Sequence, residues 1–217
     1  MIIPSMLSAD FRKTGDELVR VDNAGADAIH WDIMDGSFTD SISFGHLTVA
    51  RHRELSRLRF DVHLMTENPE KYIENFARAG ADVIIVHAET CRHLHRTLGD
   101  IKSLGKKAGV ALNPATSPNV VHYCADIADL VLVMTVNPGS SGQNFIKSQL
   151  DKISDLRNFL PSQIEICVDG GITDLTVGEC AERGADSFVS GSYIFKNQNY
   201  ADAIKELRQK CKNPVNF

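Results

Sequence analysis

Two short spacings in this 217-residue chain could do chemistry: His30-Trp31-Asp32 and Asp61-Val62-His63. Side chains alternate along an extended strand, so each pair projects from one face. Both pairs interrupt runs, AIHWDIM and FDVHLM, that otherwise have the apolar, β-branched or aromatic make-up of strands buried on both faces. A further acid, Asp169, closes the run IEICVDGG. Any one such group is more often hydrogen-bonded structure than chemistry. Four together are harder to explain, because each costs several kcal/mol to bury unless it is paired or bound to metal. His30, Asp32, His63 and Asp169 offer a mixed nitrogen and oxygen ligand set. It suits Zn²⁺ foremost, or Fe²⁺, better than Mg²⁺, with Mn²⁺ and Co²⁺ also acceptable.

Such convergence requires the strand ends to meet. The phrase AGAD occurs at Ala24–Asp27 and again at Ala79–Asp82, with RGAD at Arg183–Asp186. Each follows an amphipathic stretch and precedes an apolar run, which predicts helix, glycine stop, then strand. With IIPSML, AGVALN and LVLVMTV, and with VIIVH and SFVSG after two of the phrases, eight strands alternate with helices. Eight β/α units in 217 residues predict a (β/α)8 TIM barrel, α/β class, as a single domain over 1–217, with a doubly wound open sheet the competing architecture.

In a barrel the C-terminal strand ends carry the active site, and the loops after the last strands often bind phosphate. Three glycine-rich ends fall there: NPGSSGQ (137–143), VDGG (168–171) and SGS (190–192). A lone Gly-Ser turn is usually only a turn, but three at successive strand ends predict a phosphate site built from backbone N–H groups. Met34, Met65 and Met134 sit at strand tips, where they predict a polarizable apolar lining that keeps water from the metal.

Composition excludes other classes. A net charge of -5 gives no basic surface for nucleic acid. Five scattered cysteines without a C-x-x-C pair support neither a disulfide framework nor a zinc knuckle. With no signal-like or membrane-length apolar run, the expectation is a cytoplasmic protein. His87 and Glu89, also at a strand end, are expected to support the site or the structure, while His46, His52 and the RHLHR stretch are expected on solvated helix faces.

In order, PSMLSADF, HWDIMDGSF, DVHLM, NPAT, VMTVNPG, VDGGI and GSYIF resemble the ribulose-phosphate 3-epimerase family from Pro4 to about Phe195. The resemblance implies a (β/α)8 barrel that inverts C3 of a ketose phosphate with a divalent metal, D-ribulose 5-phosphate to D-xylulose 5-phosphate by default. It makes His30, Asp32, His63 and Asp169 the ligands and Asp32 and Asp169 the acid/base pair. It also implies sugar contacts from Ser8 and His63. Phosphate would be held by Gly139, Ser140, Ser141, Gly142, Gly170, Gly171, Gly191 and Ser192, and the chain would form a homo-oligomer. Two departures lie at the mouth: Ser140 and Ser141 where the family reads Phe and Gly, and FTDS where it reads F-V-P-N. If position 141 needs positive φ, serine there costs on the order of 1 kcal/mol. These changes keep a hexulose phosphate such as D-allulose 6-phosphate, or a non-catalytic sugar-phosphate barrel, as alternatives. The related barrel decarboxylases and aldol synthases use a D-x-K-x-x-D array, which DIMDGS lacks.

Overall fold

The computed structural model describes residues 1–212, so residues 213–217 of the expected domain lie outside the described residues. Eight strands form one parallel sheet: β1 (Ile2–Pro4), β2 (Ala28–Met34), β3 (Arg59–Met65), β4 (Val83–His87), β5 (Lys107–Leu112), β6 (Leu130–Met134), β7 (Glu165–Asp169) and β8 (Ser187–Ser190). Their order, β1-β8-β7-β6-β5-β4-β3-β2, brings β1 beside β8 and leaves a seam between β1 and β2. A single parallel bridge, Ser5 to His30, spans that seam. The doubly wound alternative is excluded, because an open sheet does not bring its first and last strands together.

Helices α1 (Thr14–Asn23), α2 (His46–Arg53), α3 (Ile73–Arg78), α4 (Leu94–Ser103), α5 (Gln149–Phe159), α6 (Val177–Glu182), α7 (Ser192–Phe195) and α8 (Tyr200–Lys212) lie between or after the strands. The alternation read from sequence sorts the core. Ile29, Trp31 and Ile33 of β2 pack toward the helices, whereas Ala28 belongs to the cluster inside the barrel with Ile3, Val83, Ile85 and Leu132. His30 and Asp32 share the parity of Ala28 and therefore face inward.

Each AGAD-type phrase does what its pattern predicts. Gly25, Gly80 and Gly184 take positive φ after their helices, and the following aspartate opens the next strand. Its carboxylate accepts a neighbouring strand's N–H: Ile2 to Asp27, Phe60 to Asp82 and Ile166 to Asp186, at 2.7, 2.8 and 2.8 Å. Asp129 holds Ala108 in the same way at 2.8 Å.

Some expectations need correction. The first strand stops at Pro4, because the Ser5 side chain accepts the N–H of Leu7 and turns Met6–Ser8 into a 3₁₀ turn. His52 is buried rather than solvated: its ring meets Trp31 edge-on at 5.0 Å, and its nitrogens reach the Thr48 carbonyl and Thr14 Oγ1 at 2.8 and 2.9 Å. His46 is half-buried with its ring edge-on to Phe76. The RHLHR stretch is exposed at Arg92, His93, His95 and Arg96, as expected. All five cysteines are free thiols.

Candidate active site

The inward residues of β2, β3 and β7 meet at one point. His30, Asp32, His63 and Asp169 each offer a ligand atom, all within 4.8 Å of one another. His30 Nε2 lies 3.3 Å from Asp32 Oδ1, 3.7 Å from Asp169 Oδ2 and 3.4 Å from His63 Nδ1. His63 Nδ1 lies 3.2 Å from Asp32 Oδ1 and 4.0 Å from Asp169 Oδ2. Donors about 2.0–2.1 Å from a tetrahedral ion sit roughly 3.3 Å apart, so these spacings fit a shared divalent ion. Among the described residues, no Lys or Arg pairs with Asp32 or Asp169, so the charge of the acids is met by histidine alone.

The electrostatics of the four groups diverge. Burial opposes charge on His30, but Asp32, with Asp169 and Asp61 behind it, pushes that imidazole up to about 9. His63 is driven down to about 4, chiefly by burial, with Asp32 opposing. Burial also penalises the Asp32 carboxylate, yet His30 and His63 outweigh it and hold the group well below the usual carboxylate range. Asp169 goes the other way: burial and then the negative charge of Asp32 push it up to about 7. Two acids in one site thus have opposite protonation preferences, a pattern that separates a base from an acid.

Above the cluster lies a cleft of ≈ 550 Å³ of empty space, part of it open to solvent. Asp32 and Asp169 line it, while the histidines lie beneath, fully buried. The other walls are the three glycine-rich ends. Gly139, Ser140, Ser141, Gly142, Gly170, Gly171, Gly191 and Ser192 all face the cleft, as do Ser8, Met65 and Met134. Met34 is buried at the tip of β2 but is not among the lining residues, so the expected methionine lining has two members there rather than three.

Glycine is needed where the walls close in. At Gly170 and Gly171, both at positive φ, an added Cβ would sit 2.5 Å from Val136 Cγ2 and 2.8 Å from the Phe145 nitrogen. Ser141 carries no such strain, because among the described residues only glycines have positive φ; Gly139 and Gly142 take it in that loop.

The two departures at the mouth form one unit. The Ser41 hydroxyl donates to the Gly139 carbonyl at 2.8 Å, and an added Cβ at Gly139 would meet Thr39 at 3.6 Å. The loop after β2 therefore braces the loop after β6, which lines the cleft.

Sequence reading missed Ser5. Its hydroxyl donates to Asp32 Oδ2 at 2.6 Å, leaving Oδ1 toward the histidines, and it lines the cleft. Its closeness to Ser8 in PSMLSADF was the available signal, but nothing local separates a serine at the seam from one three residues later. Asp35, by contrast, serves the turn beside Gly36: its Oδ1 accepts the N–H and hydroxyl of Ser37.

The sequence profile of the Ribulose-phosphate 3 epimerase family matches residues 1–195. The ribulose-phosphate 3-epimerase of Synechocystis sp. is 48% identical over 215 residues, covering 96% of this chain and 93% of the relative. That of Bacillus subtilis is 46% identical over 211 residues, covering 95% and 97%. At the level of fold, the orotidine 5'-phosphate decarboxylase of Pyrococcus horikoshii superposes with a TM-score of 0.70 at 16% identity, covering 98% of this chain and 100% of that one. Identity at this level over nearly the whole length, on a barrel of this kind, means that the chain belongs to the ribulose-phosphate 3-epimerase family.

Proposed function

We propose that the protein interconverts D-ribulose 5-phosphate and D-xylulose 5-phosphate by moving a proton at C3, using Asp32 and Asp169 as the acid/base pair. The observation that carries this reading is that both carboxylates line one cleft with the glycine-rich ends, while their protonation preferences are driven apart. The names of the relatives point to the same substrate.

A C3 proton beside a carbonyl is weakly acidic, and its loss leaves an enediolate whose negative charge needs fixed positive charge nearby. A divalent ion held by His30, Asp32, His63 and Asp169 would supply that charge. Zn²⁺ suits two imidazoles and two carboxylates best, and Fe²⁺, Mn²⁺ and Co²⁺ accept the same donors. The chain's own part is positional. Asp32, ionised and held by Ser5, is ready to take a proton; Asp169, near neutral pH in its own preference, is ready to give one. The roles exchange for the opposite substrate configuration. Backbone N–H groups of the loops after β6, β7 and β8 would take the phosphate, and Ser8, whose buried hydroxyl has no hydrogen-bond partner among the described residues, would take a sugar hydroxyl. Met65 and Met134 add apolar surface to the cleft lining.

A cytoplasmic setting is part of this proposal; among the described residues, no helix is long and apolar enough to cross a membrane. A homo-oligomer remains part of this proposal on family grounds.

The test is exchange of the C3 proton into deuterated water with the divalent-loaded protein and D-ribulose 5-phosphate, followed by NMR. Absence of exchange on every pentulose and hexulose phosphate tried would sink the proposal. A second reading, a hexulose phosphate such as D-allulose 6-phosphate, rests on one observation: the two altered mouth segments touch each other at Gly139, which lines the cleft. Comparing kcat/KM for the two sugars decides between them.

A further inference from the structure

His87 ends β4 outside the four-residue cluster, fully buried, and faces two different partners. Its Nε2 lies 2.8 Å from His63 Nε2, and its Nδ1 lies 3.0 Å from Glu89 Oε2. The His63 and His87 ring centroids are 4.9 Å apart with 25° between the planes. Centroids so much farther apart than the nitrogens mean that the rings meet end to end and nearly coplanar, as a hydrogen bond requires. Phe38 packs against the His87 ring at 4.6 Å between centroids.

Donor and acceptor counts then fix the protons. An ionised carboxylate only accepts. Glu89 Oε1 takes the Asn113 N–H at 2.8 Å and the Thr116 hydroxyl, which leaves Oε2 to His87. His87 therefore carries a proton on Nδ1. A neutral His87 in that form shows a lone pair at Nε2, and His63 must donate its Nε2–H into it. The remaining nitrogen of His63, Nδ1, is then an unprotonated lone pair directed at Asp32 Oδ1 and His30 Nε2.

We propose that His87 and Glu89 are positioning residues that fix the tautomer of His63, so that its Nδ1 is presented as a ligand to the divalent ion. This rests on the metal reading above. Outward partners of this kind orient a ligating imidazole and raise its basicity. The link runs to the rim of the barrel, where Lys152 Nζ holds the carbonyls of Asn113 and Pro114 at 2.8 and 2.9 Å and so steadies the loop that grips Glu89.

Glu89→Gln is the sharpest probe, since it is nearly isosteric at a side chain that is 22% exposed. The two donors at Asn113 and Thr116 keep the amide oxygen on their side, which turns the NH₂ toward His87 Nδ1 and sets donor against donor. Zn²⁺ affinity, measured by chelator competition, is expected to fall about 10–100-fold. In the Zn²⁺-loaded wild type, ¹⁵N–¹H spectra are expected to show the His87 proton on Nδ1. A Glu89→Gln protein that takes up Zn²⁺ as tightly as the wild type overturns the positioning role, and so does a wild-type His87 protonated on Nε2 alone. A wild type that takes up no Zn²⁺, Fe²⁺, Mn²⁺ or Co²⁺ overturns the metal reading as well, and is thereby told apart from those two results.

Discussion

The two ends of the barrel use the same residue type for opposite purposes. At the floor, Asp27, Asp82, Asp129 and Asp186 each accept a backbone N–H from the preceding strand, and each meets a cation: Arg208, Arg53, Lys102 and Arg157, at 2.9, 3.0, 2.7 and 3.1 Å. At the top, among the described residues, Asp32 and Asp169 have only each other, two histidines and a serine hydroxyl. A carboxylate with a fixed cation and a fixed N–H has nothing left to do, so it is structure. Carboxylates crowded together out of water without a guanidinium must differ in protonation or share an ion. An acid's partners therefore decide whether it holds the chain or moves a proton.

The largest effect that separates the two ends is expected at the top. Asp169→Asn removes one half of the acid/base pair and should slow C3 exchange by about 10²–10⁴-fold. The same change relieves a buried like-charge contact, so the melting temperature should hold or rise. If exchange stays within tenfold of wild type, the assignment of Asp169 fails. At the floor the pattern should invert. Asp82→Ala loses one charged hydrogen bond to Phe60 N–H and a partly exposed ion pair with Arg53, which should lower stability to urea by about 1–2 kcal/mol. Its kcat should match the wild type, and a loss of kcat equal to that of Asp169→Asn would erase the distinction between the ends.

The smallest effect concerns pH. Burial disfavours the Glu89 carboxylate, but His87, Thr116 and the Asn113 N–H outweigh it and bring the group from 4.5 down to about 2. A depressed acid stabilises the fold fully above its unfolded value and loses that contribution as pH falls toward the folded one. Wild-type stability should therefore drop between about pH 4.5 and 2 by more than that of Glu89→Gln, read from urea midpoints at pH 5 and pH 3. Equal drops would mean that Glu89 is not held by these partners.

Much of this is legible in the sequence alone. The AGAD phrases gave the helix stops, because a glycine at positive φ leaves a local mark in sequence. Period-two alternation placed His30 and Asp32 on the inner face, because a strand has only two faces. What stayed hidden depends on contacts between distant segments. Ser5 reaches Asp32 across the seam, His52 is buried only because Trp31 and Thr14 come to it, and Met34 shares the parity of Asp32 yet does not line the cleft. The bracing of Gly139 by Ser41 is likewise invisible in either loop alone.

The seam between β1 and β2 has a consequence for how the barrel assembles. β1 pairs with β8, about as far away along the chain as two strands can be, and it meets β2 through one ladder bridge, Ser5 to His30, with Ile2 and Asp27 hydrogen-bonded to each other at the foot of the seam. Contacts between such distant segments form late, since a long loop must close before they are rewarded. The suture therefore ends on a metal-ligand candidate, and the Ser5 hydroxyl ties it to a second. An ion bound there would fasten the final joint of the ring, and amide hydrogen exchange at Ile3 and Ser5 should slow on loading more than exchange in β4 or β5.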